Sequence, residues 1–453
     1  MKHILIVDDD VAVTNYFKVF IAQTGLFETT IVNDSRKVMA LFEKKEFDLV
    51  LLDLDMPDVS GMDILHDMND HAVNIPVVVL TGVNDVDLAV KSMKLGAFDY
   101  LVKPVDDDKL LEVIDDAVEH SVLHKSIDEL PKTLTHKQLV NKDAFDHLPT
   151  QDSEMIRLFH QAEKLAGSDL SIFIWGESGT GKEALARAIH DASPRRDKPF
   201  IAIEANCCKP DQFPAFFFGQ VRGWSGTREE KPGFLDETNE GTLFLNHIEH
   251  LNHPMQTRLQ RIIQTNEYYR ENSATIRKVD LRMIVASTKD LTSQEYEETF
   301  SRDLLYHLMI NSIRIPPLRE RIGDIPLLAE HFLKEEVKKT GKNIQGFSDE
   351  CLVILKQYTY PSNVQELLTI VASAVAREES GMITVESLPS TLTEALETGQ
   401  EAQKRTFELR KLNDVIEDQV RRTLHYFHGD RKKAAEKLGI SPERIDKIVE
   451  DSD

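Results

Sequence analysis

Residues 171–190 read SIFIWGESGTGKEALARAIH: an apolar run, glycines at 176, 179 and 181, a lysine, then a helix-forming stretch. Few local patterns constrain a fold as tightly. The glycines let successive backbone N–H groups turn towards one anion, and the helix that follows points its positive end at the same place. The loop therefore needs a strand before it and a helix after it, which puts it at the C-terminal edge of a parallel α/β sheet. Gly176, Glu177, Ser178, Gly179, Thr180, Gly181, Lys182 and Glu183 form the expected phosphate cradle, with Lys182 reaching the terminal phosphates. Glu183 stands where such loops usually carry Ser or Thr.

The chain has 453 residues, enough for about three domains at roughly 150 residues each. In the first 120 residues, five runs rich in Val, Ile and Leu alternate with helical stretches: 3–7, 27–32, 48–53, 75–82 and 99–104. Unbroken apolar runs suit strands covered on both faces, so this part reads as a doubly wound five-stranded parallel sheet. Residues 121–146 lack a clear period and read as a linker. A second α/β domain with strands at 171–176, 200–205, 241–246 and 281–287 runs into a helical lid, spanning 147–390 in all. Residues 391–408 read as another connection, and 409–453 as an all-α unit.

Composition limits the function classes. Lys plus Arg number 54 and Asp plus Glu 77, a net charge of −23 that argues against a general polyanion binder. Three cysteines, two of them adjacent, make no disulfide framework or metal-ligand spacing and suit a reduced cytoplasmic protein. No apolar stretch is long enough to cross a membrane.

Acids close two of the early strands: Asp8, Asp9 and Asp10 after ILIV, and Asp53 after LVLL. Thr81 and Lys103 end two later ones. Converging carboxylates there suit Mg2+, and an Asp beside the metal can take a phosphoryl group. With IVDD (6–9), LLDLDMPDVSG (51–61), LTG (80–82) and GAFDYLVKP (96–104), residues 1–120 resemble the receiver domain of two-component response regulators. The resemblance implies Asp53 as phospho-acceptor, Asp8, Asp9 and Asp53 as metal ligands, Lys103 on the phosphoryl group, and Thr81 with Tyr100 as the switch pair. It also implies a sensor histidine kinase or phosphotransfer protein as partner.

GESGTGKEALARAIH (176–190), PGFLDETNEGTLFL (232–245), IPPLRERIGDIPLLAEHFL (315–333) and YPSNVQEL (360–367) resemble the AAA+ domain of NtrC-like enhancer-binding proteins. That family uses ATP to remodel the sigma-54 form of RNA polymerase, and Glu after the loop lysine is normal in it. Several of its catalytic positions are replaced here. Asn246 and His247 stand for the metal-binding Asp and water-polarising Glu, and Thr288 for the sensor Asn. Ser301 stands for the arginine finger, with Arg302 one residue off. His307 replaces a later Arg, and Gln365 the second sensor Arg. The polymerase-contacting loop is a residue short and reads Gly223-Trp224-Ser225-Gly226-Thr227. These replacements predict a domain that binds ATP or ADP without productive turnover, unless His247, Arg302 and Glu249 compensate. Some family members respond to cyclic di-GMP, for which Arg195, Arg196 and Arg222 are the candidate phosphate contacts.

In the last unit, RKKAAEKLGI (431–440) ends at Gly439, and Ser441-Pro442 open another helix. Helix–glycine turn–helix is a helix-turn-helix, and GDRKKAAEKLGIS resembles the Fis-like unit that closes NtrC-like regulators. Candidate DNA contacts are Arg431, Lys432, Lys433, Ser441, Arg444 and Lys447. Residues 404–453 hold 12 basic and 11 acidic side chains, so affinity should rest on a dimer or larger homo-oligomer, including a hexamer. The expected protein is a phosphorylated regulator acting with promoter DNA and RNA polymerase. The alternatives are an active sigma-54-dependent ATPase and an oligomerising antagonist with little DNA binding.

Overall fold

The computed structural model describes residues 2–42, 44–71, 73, 75–82, 91–92, 95–128, 130–131, 134–221, 231–296, 299–379, 381–390, 392, 420, 423 and 431–438. The chain divides into two compact units, Met1–Ser387 and Leu388–Asp453.

The first sheet consists of β1 (Lys2–Val7), β2 (Phe27–Val32), β3 (Leu49–Asp53), β4 (Val77–Thr81) and β5 (Asp99–Val102), all parallel in the order β2-β1-β3-β4-β5. Alternate residues of each central strand enter different cores. Leu5, Val7, Val50 and Leu52 pack on one face, while Ile4, Ile6, Leu49 and Leu51 pack on the other. That double burial is why these strands carry no polar alternation. The strand order reverses between β1 and β3, so Asp8 and Asp53 lie at the switch point where such sheets bind ligands.

The second sheet contains β6 (Ile172–Trp175), β7 (Phe200–Glu204), β8 (Thr242–Asn246), β11 (Arg282–Ser287) and β12 (Ser312–Arg314), in the order β12-β6-β11-β8-β7. A small antiparallel hairpin joins β9 (Glu267–Tyr269) to β10 (Ile276–Lys278). The hairpin and β12 are additions to the four strands expected from sequence. Each is three residues long, too short for a periodicity to register. Three helices, Asp324–Thr340, Asp349–Gln357 and Asn363–Arg377, form the lid.

The expected linker at 121–146 is corrected by the structure. The receiver's last helix runs Asp107–Asp128 and packs against the Ser153–Ala166 helix. Ile127, Leu139 and Phe145 are buried in the same core as Phe159, Ile174 and Ile284. Leu139 and Phe145 sit at two separate short turns, His136–Gln138 and Lys142–Phe145, so no single helical period links them. Among the described residues, no helix is long and apolar enough to cross a membrane. In the C-terminal unit the Arg431–Leu438 helix forms as expected. Ser441, Arg444 and Lys447 lie outside the described residues, as do Arg222 and the 223–227 loop.

Candidate functional site

At the receiver edge, the Lys103 ammonium donates to Asp8 at 2.6 Å and also to Asp53. Burial pulls this lysine down, but the two carboxylates outweigh it and hold it above its usual range. Burial and the neighbouring Asp8 raise the Asp53 carboxyl, against the pull of Lys103. Asp8, Asp9 and Asp53 offer oxygens within 4.8 Å of one another, a donor set that fits a hard cation. Thr81 is buried at the end of β4. Tyr100 is half-buried, its hydroxyl raised by burial and by Asp303 and Asp99. Asp303 belongs to the helix Arg302–Met309 of the second domain, so this side of β5 faces that domain.

The second centre is a cavity of about 710 Å³ lined by the Ser178–Glu183 loop, Asn246, His247, Thr288, Arg321 and Gln365. Leu148, Ile315 and Phe332 supply apolar wall. Gly176, Gly179 and Gly181 all have positive φ, which allows the loop to curl. Lys182 is buried and donates to the carbonyls of Gly176 at 2.8 Å and Glu177 at 2.9 Å. Burial lowers its pKa to about 8, against the pull of Glu249, Glu204 and Glu177.

The lid fastens this loop through residues whose roles the sequence did not suggest. The Asn363 amide donates to Ser178 O at 2.9 Å and to Glu177 at 3.2 Å, while its oxygen accepts from Leu318 N at 2.8 Å. Arg321 reaches Thr180 O at 3.1 Å. Arg319 grips the Glu177 carboxylate through two bonds of 2.6 and 2.5 Å, holding it below the usual carboxylate range. Asn363 sits at positive φ in YPSNVQEL, and an Asn ahead of an apolar helix was the available signal.

The side chains at the positions the resemblance marks as replaced have partners of their own. Asn246 donates to Glu204 at 3.1 Å across the β7–β8 pair. His247 sits at φ 60° with Nδ1 3.2 Å from Glu249. Thr288 donates to the same Glu249 through its N–H at 3.2 Å and its hydroxyl at 2.5 Å. Burial would raise this carboxyl, but the bonds from Thr288, its own backbone N–H and His247 hold it low. Ser301 caps the Arg302–Met309 helix by accepting from Leu304 N. His307 meets Gln264 at 2.6 Å, and burial lowers its pKa despite Asp99 of the receiver nearby. Gln365 bonds through its backbone to Gly179 O at 3.3 Å.

Residues 4–115 match the response regulator receiver domain, 148–314 the sigma-54 interaction domain, and 319–405 the AAA+ ATPase lid domain. Over 446 residues the chain is 33% identical to the regulatory protein AtoC of Escherichia coli K12, covering 97% of this chain and 95% of that one. The chain belongs to the NtrC-like response regulators. The regulatory protein LuxO of Vibrio cholerae is 31% identical, covering 97% of this chain and 96% of its own length. NtrX of Brucella abortus, solved in complex with ADP, superposes with a TM-score of 0.52 at 25% identity, covering 100% of this chain and 99% of that one.

Within this NtrC-like regulator, one expected contact set is corrected. Arg195 does not reach the nucleotide cavity. Its guanidinium bonds Asp169 at 2.8 and 3.2 Å and Asp280 at 2.6 Å, where it lines a separate cavity beside the receiver. Two carboxylates at bonding distance outcompete a solvent-borne phosphate for one guanidinium. Arg196 is exposed, 3.7 Å from Asp197. The expected cyclic di-GMP contacts therefore do not converge among the described residues.

Proposed function

We propose that this chain is a phosphorylation-controlled transcription regulator whose central domain holds ATP or ADP without turning it over. The observation that carries the reading is a complete phosphate cradle beside a wall that lacks the family's acidic pair. The positions for metal and attacking water on that wall are Asn246 and His247, each engaged in another bond, and the arginine-finger position, outside the cavity wall, is the helix-capping Ser301. An arginine finger alone is worth about 10³–10⁵ in rate. The solved NtrX complexes with ADP and with ATP support nucleotide retention as a family capacity. Purified full-length protein, treated with acetyl phosphate, should release phosphate no faster than its Lys182→Ala variant. Turnover that rises on phosphorylation and falls on Lys182→Ala would establish the active sigma-54 activator instead.

In the receiver, an Asp53 oxygen attacks phosphorus, the phosphorus–leaving-group bond breaks, and the leaving group departs with its electron pair. Mg2+ held by Asp8, Asp9 and Asp53 would supply charge neutralisation at the phosphoryl oxygens. Lys103, already between Asp8 and Asp53, turns to the new phosphoryl group. Thr81 and Tyr100 then carry the change to the face that meets the Arg302–Met309 helix. Asp53→Asn should reduce acetyl-phosphate labelling to background on a phosphate-affinity gel. DNA contact through Arg431, Lys432, Lys433, Ser441, Arg444 and Lys447, in a dimer or higher homo-oligomer, completes the reading.

Lys182 also sets a pH dependence. In the free loop its pKa stands near 8 because burial disfavours the ammonium. A phosphate-bound ammonium stays charged, so above about pH 8 binding must first restore the proton. Nucleotide affinity should fall as pH rises from 7.5 to 9, with proton uptake on binding. Calorimetry in two buffers of different ionisation enthalpy reads that uptake, and a pH-independent affinity would contradict it.

A further inference from the structure

At the end of β8 the family's acidic pair is replaced by a set of softer ligands. His247, Glu249 and His250 each offer a ligand atom, and these atoms lie within 4.8 Å of one another. We propose that they form a binding site for a divalent transition-metal ion of the Zn2+ or Co2+ type. This goes beyond nucleotide retention and does not depend on it.

Two ligands of a tetrahedral Zn2+ at about 2.0–2.1 Å stand roughly 3.4 Å apart. His247 Nδ1 lies 3.2 Å from Glu249 Oε1, which puts the ring beside the carboxylate whose other oxygen, Oε2, is the proposed ligand. The His247 and His250 rings lie 5.9 Å apart between centroids, on one short turn. His250 is exposed at the rim of the set.

The second observation is Glu249 itself. Its side chain is only 3% exposed, and Oε2 is buried with no hydrogen-bond partner among the described residues. Oε1 already meets the Thr288 N–H and hydroxyl and His247 Nδ1, so that oxygen is held and Oε2 is left for a ligand. A buried carboxylate oxygen without a partner is costly, and a cation removes that cost.

The surroundings also match a metal-bound histidine. A ligating imidazole usually turns its other nitrogen to a carboxylate, which fixes the tautomer. His247 Nε2 lies 3.2 Å from Glu204, on the side away from Glu249. Glu204 is itself held by Asn246 at 3.1 Å. The αL backbone of His247 lets its ring reach Glu249 two residues on, a strained conformation that persists where the surroundings demand it. Imidazole donors are poor for Mg2+ and good for Zn2+ or Co2+, which gives the ion its class. Three protein ligands leave a fourth position open. His247 lines the nucleotide cavity, so water or a phosphate oxygen is within reach of that position.

Full-length protein without nucleotide, titrated with CoCl2, should show the intense visible ligand-field absorption of a low-coordinate imidazole–carboxylate site, at one equivalent. The oxygen-only receiver site gives only weak octahedral bands, so Asp53→Asn should leave the intense spectrum intact. His250→Ala, at an exposed position, should abolish it. His247→Asn should also abolish it while tolerating the αL backbone. Glu204→Gln should weaken Co2+ or Zn2+ binding by about 10–100-fold. Retention of the intense spectrum in either histidine variant, or only weak octahedral bands in the unmodified chain, would overturn the site. Neither result would bear on nucleotide retention, which is measured separately.

Discussion

Gly179→Ala should weaken ADP binding by at least about 100-fold, equivalent to about 2.7 kcal/mol. The loop and the lid meet at this residue. A Cβ there would fall 2.1 Å from the carbonyl oxygen of Ser362 and 3.1 Å from Gln365 Cβ. Neither is the far end of a flexible side chain. The Gly179 carbonyl also accepts from Val364 N at 2.9 Å and Gln365 N at 3.3 Å, so moving the lid aside breaks those bonds. The residue is at φ +75°, and left-handed backbone costs a non-glycine about 1–2 kcal/mol before any clash. Stability should fall by about 3 kcal/mol or more, among the larger single-residue effects. Gly181→Ala separates the two causes. Its φ is +104° but its Cβ meets open space, so only the backbone term applies. Calorimetry with ADP and urea melts of both variants test this. Equal losses in the two would show that the lid contact contributes nothing.

Arg282→Leu should destabilise the first unit by about 2–4 kcal/mol, because it removes two hydrogen bonds from a charged donor to buried carbonyls. Arg282 is fully buried at the start of β11. Its two terminal nitrogens donate to Ala166 O at 2.9 Å and Leu165 O at 2.6 Å, the last carbonyls of the Ser153–Ala166 helix. Leu165 O also accepts from the Ser168 N–H and hydroxyl at 3.1 Å, so Leu would cost it one donor of several, while Ala166 O would lose its guanidinium bond in a dry core. Burial lowers the guanidinium pKa to about 10, so it is still charged at neutral pH. Arg282→Lys should be milder, since a point ammonium cannot span both carbonyls as the planar fork does. The same helix packs against the receiver's Asp107–Asp128 helix, so Arg282→Leu should also speed proteolysis between the two domains. Urea midpoints and limited trypsin digestion read the two effects. A midpoint unchanged in Arg282→Leu would refute the account.

Legibility followed the range of the interactions involved. The receiver strands, the loop 176–183 and the lid helices were readable because short-range rules write them: runs of Val, Ile and Leu for doubly covered strands, glycines for a curled loop, apolar spacing for helices. Residues 121–146 were misread as a linker because Leu139 and Phe145 are anchored by helices distant in sequence. No local period records that.

The site shows the same division. Sequence alone determined that Asp8, Asp53 and Lys103 end strands of one parallel sheet and must share an edge, and that a phosphate cradle opens the second domain. It also put Asn246, His247 and Ser301 where the resemblance implies Asp, Glu and Arg. Only the tertiary structure decided what those side chains bond: Ser301 caps a helix, Asn246 meets Glu204, and His247 meets Glu249 and Glu204. Strand order and glycine placement follow from chain-local sterics. The partner of a side chain depends on which distant backbone arrives beside it, and only folding supplies that.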